Sequence, residues 1–156
     1  MALVIYGSTR MTRDCDFAAP KTDDTLRRCV HIMIDEGFAV IFGWDSVNYM
    51  PTKLDSDKVN SGSWAVIDRP ESIWFWHMTK NVRVDLVFDL PVSISDVMGR
   101  AIAKNIHGNR VFIASPEDLE KMKVTAFTAR PSRTADKHDL DFLRNLIEQS
   151  KNPPEN

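Results

Sequence analysis

Residues 81–90, NVRVDLVFDL, alternate between apolar and charged side chains along most of their length. Successive side chains of a β-strand point to opposite faces of a sheet. Val84 and Leu86 therefore face one way, and Arg83 and Asp85 face the other. A strand of this kind belongs to a sheet that is packed on one face and polar on the other.

Periodicity and turn signals predict the remaining elements. Gly37 is a helix stop signal, and Ser115-Pro116 has the cap and first-turn residues that start a helix. Residues 43–63 are polar and show no clear period. The fold class is α/β or α+β, with a mixed β-sheet, flanking helices and a helical C-terminal segment. Strands are predicted at residues 2–6, 14–18, 38–42, 64–67, 72–78, 81–90 and 110–114, with 64–67 and 72–78 as an antiparallel pair, and helices at 22–36, 95–104, 115–129 and 135–149.

Length and composition indicate one globular domain. The chain has 156 residues, of which 43% are hydrophobic and 27% are charged, so residues 1–149 can form one domain with a flexible tail at 150–156. A net charge of -2 gives no general attraction to nucleic acid. No apolar run is long enough to span a membrane, so no membrane partner is expected. Cys15 and Cys29 form no disulfide framework and no zinc spacing, which favours reduced thiols and a cytoplasmic location.

Asp14 and Asp16 are the first candidate site residues. On a strand they share one face, about 7 Å apart, and two such carboxylates repel each other unless they are solvated or a cation lies between them. Mg²⁺ prefers hard oxygen ligands of this kind, and Asp85 is the best candidate for a third. The alternative is a solvated strand edge with no metal, which is common for an Asp-x-Asp pair.

Lys123 is the second candidate. In the predicted helix it lies inside or beside an apolar stripe that contains Leu119 and Phe127. A buried ammonium needs a carboxylate or a phosphate as partner. The alternative is that its long stem covers apolar surface while the amine reaches water.

Together these segments resemble the DNA polymerase β-like nucleotidyltransferase superfamily, and more closely its small bacterial branch that includes abortive-infection type toxins. RMTRDCDF at residues 10–17 is similar to the Arg-x-Thr-x-Asp-x-Asp signature of that branch. VRVDLVF at 82–88 is similar to the strand with the third acid. SPEDLEKMKVTAFTARPSRTADKHDLDFL at 115–143 is similar to the C-terminal helical segment.

The resemblance implies a function and a role for each matching residue. Asp14, Asp16 and Asp85 would be catalytic and would bind one or two Mg²⁺. Ser8, Arg10 and Lys123 would contact the nucleotide. The activity would be transfer of a nucleoside monophosphate from an NTP to an unknown acceptor, such as RNA, protein or a small molecule. A toxin-like member could also have an antitoxin or an RNA partner.

Gly7-Ser8 departs from the superfamily pattern, because it lies only five residues before Asp14. Either residues 2–8 are the Gly-Ser strand and the following loop is short, or Gly7-Ser8 belongs to the Asp-x-Asp loop and the phosphate-binding element lay upstream. The second alignment leaves the segment 10–16 without gaps and describes a chain that begins inside the domain. It also raises the alternative of a catalytically degenerate binding or regulatory protein. A third alternative is a structural domain, in which Asp85 lies far from the other two acids.

Overall fold

The computed structural model describes residues 1–10, 12, 14–45, 50–53 and 72–152. The chain forms two compact units, one of Thr12–Asp89 and one of Met1–Met11 with Leu90–Asn156. The predicted fold class is confirmed, since a mixed sheet, flanking helices and a helical C-terminal segment are all present. The described elements are α1 (Ala2–Ile5), β1 (Asp14–Ala18), α2 (Asp23–Asp35), β2 (Ala39–Asp45), β3 (Met50–Lys53), β4 (Ser72–His77), β5 (Val82–Val87), α3 (Ile94–Arg100), β6 (Ile102–Ile106), β7 (Asn109–Ile113), α4 (Pro116–Ala129) and α5 (Thr134–Lys151).

The unit Thr12–Asp89 is built on a five-stranded sheet with the order β1-β5-β4-β2-β3. β1 is parallel to β5, and the remaining neighbours are antiparallel. The predicted strands at 14–18, 38–42, 72–78 and 81–90 are confirmed. The predicted strand at 64–67 and much of the segment 43–63 lie outside the described residues.

One face of this sheet carries the hydrophobic core of the unit. Phe75 is the largest of the almost fully buried side chains in that core, and Leu26 and Val30 of α2 belong to the same cluster. Thr22 caps α2, because its hydroxyl oxygen accepts a hydrogen bond from the backbone N–H of Thr25 at 3.2 Å. The cluster consists of Ala19, Leu26, Val30, Val40, Ile73, Phe75, Val84, Leu86 and Phe88.

Gly37 ends α2 as the sequence predicted. Its φ is +83°, and its N–H donates to Ile34 O while the N–H of Phe38 donates to Met33 O. These two bonds form a Schellman motif, which satisfies carbonyls that the helix end leaves open. The motif turns the chain directly into β2.

In the other unit the predicted strand at 2–6 is wrong, because Ala2–Ile5 is a single helical turn. The turn ends with the same motif as α2: Gly7 has a φ of +99°, its N–H donates to Val4 O, and the N–H of Ser8 donates to Leu3 O. A short apolar run fits a helix and a strand equally well, so periodicity could not separate them.

The predicted helix at 95–104 is also partly wrong. In the structure this helix, α3, begins at Ile94 with Ser93 as its N-cap, and it ends at Arg100. Residues 102–106 instead form β6, which pairs with β7 in a two-stranded hairpin. His107 and Gly108 have φ values of 50° and 85°, as the two central residues of a type I′ turn require.

The two C-terminal helices are confirmed. Ser115 caps α4 and accepts from the N–H of Asp118 at 3.2 Å. α5 extends to Lys151, two residues beyond the predicted end. Residues 153–156 of the predicted tail lie outside the described residues. None of the helices that the structure describes has the length and apolar character needed to cross a membrane.

Candidate functional site

Alternation along β1 and β5 decides which side chains leave the core. Cys15 packs against the core cluster and Val84 is part of it, so their strand neighbours point to the opposite face. Burial also raises the pKa of the Cys15 thiol. On β4, Trp74 and Trp76 flank the buried Phe75, so they too point away from the core. This polar face, as it is called below, carries Asp14, Asp16, Arg83, Asp85, Trp74 and Trp76.

The strand register places the three predicted acids next to one another. In the parallel pair, Asp16 is the direct partner of Asp85, and Asp14 is the direct partner of Arg83. Neighbouring strands of a sheet are about 4.8 Å apart, and directly paired residues share a face. The three acids are thus collected on one patch of the polar face, and the alternative in which Asp85 lies far from the pair does not describe this fold.

Arg83 is a cation of this patch. Its Nε donates to Asp85 Oδ1 at 2.7 Å, and its Nη2 donates to Asp85 Oδ2 at 2.6 Å. The hydrogen bonds to Asp85 raise the pKa of Arg83, burial lowers it, and the charges of Asp85, Asp14 and Asp16 raise it further. The guanidinium therefore lies in the field of all three carboxylates.

Trp74 completes the surroundings of Arg83. It is the direct partner of Asp85 across the antiparallel β4–β5 pair. The guanidinium carbon of Arg83 lies 4.1 Å from the centroid of the indole ring, a cation–π contact. The Trp74 side chain is exposed and lies opposite the core, so the arginine is held by a carboxylate and an aromatic surface.

A Mg²⁺ site needs hard oxygen donors in near-octahedral geometry. Three carboxylates on one face are hard oxygen donors of the type that Mg²⁺ prefers, and the patch already holds one positive group. In the described part of the chain, no group of three or more His, Cys, Asp or Glu side chains is arranged so that it could hold a metal ion. Asp85 directs both oxygens to Arg83. The donor types fit a magnesium site, and the orientation of Asp85 fits an arginine.

Ser8, one of the three predicted nucleotide-binding residues, belongs to the Met1–Met11 and Leu90–Asn156 unit. Its hydroxyl accepts a hydrogen bond from the backbone N–H of Arg10 at 3.3 Å. Gly7-Ser8 forms the end of α1, as described above, so the glycine is used for helix termination. The alignment that makes residues 2–8 a Gly-Ser strand is therefore wrong.

Arg10 and Lys123, the other two, meet at a buried carboxylate in the same unit. Arg10 binds Asp139 through two contacts, at 2.7 and 3.0 Å. The ammonium of Lys123 lies 2.7 Å from Asp139 Oδ2 and 3.1 Å from Asp136 Oδ1. The sequence analysis expected a carboxylate or a phosphate as partner of Lys123, and the structure gives carboxylates. Contact with a nucleotide stays a prediction.

These ion pairs link α4 to α5 and bind residue 10 to α5. Asp136 and Asp139 are both buried, and Asp136 Oδ2 has no hydrogen-bond partner among the described residues. The Nε of Arg133 lies 3.6 Å from that oxygen, too far for a hydrogen bond. Removal of Arg10 or of Lys123 would leave the buried carboxylate of Asp139 with less compensation of its charge.

Arg83 and Trp74 are the site residues that the sequence analysis did not assign. The alternation of residues 81–90 did place Arg83 on the face of Asp85, and two residues apart on a strand is close enough for a long side chain to reach. Trp74 gave no such signal, because an aromatic residue in a strand is equally expected in a core.

Comparison with protein-family models and with curated proteins gives no match to this chain.

Proposed function

We propose that this protein is a Mg²⁺-dependent nucleotidyltransferase that moves a nucleoside monophosphate from an NTP to an acceptor. The observation that carries the proposal is the register of β1 and β5, which places Asp14 and Asp16 beside Asp85 on the polar face. The resemblance of residues 10–17 and 82–88 to the superfamily motifs agrees with it.

In this proposal Asp14, Asp16 and Asp85 would hold the magnesium only after a rearrangement, because Asp85 directs both oxygens to Arg83 in this structure and the described residues include no group arranged to hold a metal ion. When bound, the metal would neutralise charge on the triphosphate and activate the attacking oxygen. The contribution of the protein is position, because nucleotidyl transfer needs alignment and charge stabilisation more than covalent help. β1 and β5 provide that position from the packed core behind them, in which Val84 and Leu86 are buried.

Asp85 has a second role in this proposal, as acceptor of the proton from the attacking hydroxyl. A carboxylate must present an oxygen to that hydroxyl within hydrogen-bond distance to act as a base. Both oxygens of Asp85 accept from Arg83 in this structure. Proton transfer to Asp85 therefore requires that Arg83 first release at least one oxygen.

The test is transfer of label from each of the four NTPs, labelled at the α-phosphate, in the presence of Mg²⁺ and cell extract. Wild type should label an acceptor, and Asp14→Asn and Asp85→Asn should each lose at least about 99% of that activity, because each substitution removes a proposed carboxylate ligand of the metal. Asp24→Asn is the matched control, since Asp24 is an exposed acid of α2. No label with any NTP, or equal label in all four proteins, would contradict the proposal.

The Arg83–Asp85 ion pair favours a second function, a nucleotide-binding or regulatory module without catalysis. An arginine that satisfies both oxygens of the third acid removes the need for a metal there. Calorimetry with ATP, GTP, CTP and UTP separates the two functions when it is combined with the labelling assay. NTP binding that does not depend on Mg²⁺, without transfer, supports the module, and transfer that Asp16→Asn abolishes rules it out.

A further inference from the structure

The β6–β7 hairpin has one packed face and one open face. Ile113 is buried and Val111 is half-buried on the packed face. Strand alternation turns their neighbours on β7 to the opposite side, and the residues of β6 that pair directly with those neighbours share it. This side, called the open face below, carries four exposed residues, Ala103, Asn105, Arg110 and Phe112.

Phe112 is the most prominent residue of the open face. Its side chain is 63% exposed, more than any other large apolar side chain that the structure describes. The guanidinium carbon of Arg110 lies 5.0 Å from the centroid of its ring, a cation–π contact. Because most of the ring stays in contact with water beside Arg110, a second flat group can still stack on it.

The charge of the hairpin is locally positive. Residues 102–113, IAKNIHGNRVFI, contain Lys104 and Arg110 and no Asp or Glu, whereas the whole chain has a net charge of -2. The hairpin thus differs in sign from the chain as a whole. Such a surface attracts an anionic partner, and the attraction is local to this hairpin.

The composition of the open face favours a nucleic acid over a protein as that partner. Proteins dock on contiguous apolar patches, but Ala103 is the one other apolar residue on the open face. A peptide strand that paired with an edge of the hairpin would bind its backbone and leave the Phe112 ring uncovered. A single exposed aromatic ring with a cation beside it is instead the arrangement on which proteins stack unpaired bases.

We propose that the open face binds single-stranded nucleic acid, with Phe112 stacked on an unpaired base and Arg110 at a backbone phosphate. The hairpin holds the two side chains in position, because Asn105 Oδ1 accepts a hydrogen bond from the N–H of Gly108 at 2.9 Å and fixes the turn. The inference does not depend on the proposed function, since the open face shares no residue with the polar face.

The experiment measures binding of fluorescein-labelled oligonucleotides of mixed sequence by fluorescence anisotropy at low salt. The probes are single-stranded RNA, single-stranded DNA of the same sequence, and the DNA duplex. Wild type should bind a single strand at least about tenfold more tightly than the duplex, because paired bases are not free to stack on Phe112. The tighter of the two single strands identifies RNA or DNA as the natural source.

Variants of Phe112 separate stacking from general attraction. Phe112→Ala should weaken binding of the single strand at least about fivefold, because one base–aromatic contact is lost. Phe112→Trp keeps a flat aromatic ring and should bind as tightly as wild type or more tightly. Ile32→Ala is the matched control, since Ile32 is an apolar residue of α2 that is 58% exposed.

Variants of Arg110 test the phosphate contact. Arg110→Gln should weaken binding and lower the slope of log affinity against log salt by about 0.7, the value for one phosphate of a single strand. Arg110→Lys keeps the charge and should keep the slope. Arg28→Gln is the control, as Arg28 is an exposed arginine of α2. Circular dichroism shows whether each variant is folded.

The location of the bound strand is measured independently by ultraviolet cross-linking of the RNA and mass spectrometry. The cross-link should lie within residues 102–113 of wild type. A cross-link confined to other segments would overturn the proposal.

Three binding results would also overturn it. The first is that wild type binds neither single strand, and the second is that folded Phe112→Ala binds as tightly as wild type. The third is that labelled oligoglutamate binds as tightly as RNA and loses affinity in Phe112→Ala, which would assign the open face to an acidic protein. Should Phe112→Ala fail to fold, an unchanged affinity and salt slope in Arg110→Gln overturns the proposal in its place.

Discussion

Phe75 and Trp74 are consecutive residues of β4 whose side chains lie on opposite faces of the sheet: Phe75 is 1% exposed in the core, and Trp74 is 39% exposed beside Arg83. The same alternation separates Val84 from Asp85 on β5 and Cys15 from Asp16 on β1. One face of the sheet thus supplies stability and the other supplies the candidate site.

The two aromatic residues should therefore differ in their effect on stability. Phe75→Ala should lower the free energy of unfolding by about 3–5 kcal/mol, because it leaves a cavity in the core. Trp74→Ala should cost less than about 2 kcal/mol, since it loses a partly exposed ring and one cation–π contact. Urea denaturation of both variants measures the difference. Equal costs would contradict the assignment of the two faces.

The faces of β5 could be predicted from the sequence, whereas its neighbours could not. Alternation in residues 81–90 depends only on local spacing, so Asp85 was placed opposite Val84 correctly. The parallel pairing with β1 joins residues almost 70 positions apart, and no local pattern encodes which strands meet. The resemblance suggested that Asp16 and Asp85 share a site, and the structure supplied their register.

The side-chain partners of the site residues are harder to predict from the sequence than the strand pairing. Arg83 can reach Asp85, Asp14 or water, and the choice depends on the side-chain torsions and on the Trp74 ring, which arrives from another strand. Lys123 was different, because a lysine beside an apolar stripe predicts, whatever the tertiary fold, either an anionic partner or an amine that reaches water. The identity of that partner, Asp139, required the packing of α4 on α5.

Gly37 and Gly99 test the role of positive φ at a helix end. Gly37→Ala should lower the free energy of unfolding by about 1–2 kcal/mol, because the left-handed conformation at φ +83° is unfavourable for a residue with a Cβ atom. A Cβ there would also lie 3.4 Å from His77 Nε2. Gly99→Ala is the matched control: it lies inside α3 with nothing within 4 Å of a new Cβ, and it should stabilise by up to about 1 kcal/mol. Thermal unfolding of the two variants measures both effects, and a loss of equal size in both would contradict the prediction.

Asp118 should make stability depend on pH in the acid range. Arg100 holds the pKa of this buried carboxyl below its usual value through two hydrogen bonds, and Ser115 adds a third. A carboxyl with a depressed pKa in the folded state stabilises the fold fully above its unfolded pKa of about 3.9. That stabilisation is lost as the pH falls through the lower, folded pKa.

The variant Asp118→Asn should therefore be less stable than wild type at pH 7, by about 1–3 kcal/mol, and the difference should shrink below pH ~4. Urea denaturation at several pH values between about 2.5 and 7 measures it. Glu117→Gln is the control, because Glu117 is the exposed neighbouring acid. A difference between wild type and Asp118→Asn that stays constant down to the lowest pH would show that the charge of Asp118 is not responsible.

Lys123 offers the clearest test of the ion pairs between α4 and α5. Its side chain is 27% exposed, whereas the carboxyl group of Asp139 is 1% exposed. Lys123→Met keeps the length of the side chain but removes the charge that Asp136 and Asp139 share. Both carboxylates then remain buried, with Arg10 as the closest compensation for Asp139. The free energy of unfolding should fall by about 3 kcal/mol.

Arg144 provides the matched control for this loss. It also joins α5 to α4, through Glu120 at 3.0 Å, but its side chain is 58% exposed. Arg144→Met should cost less than about 1 kcal/mol, because water screens the pair and solvates the acid that remains. Chemical denaturation at low and high salt separates the two: salt should reduce the small effect at Arg144 and leave most of the effect at Lys123. Small, salt-sensitive losses in both variants would mean that the acids of α5 reach water, and Lys123 would then be free to take part in nucleotide binding.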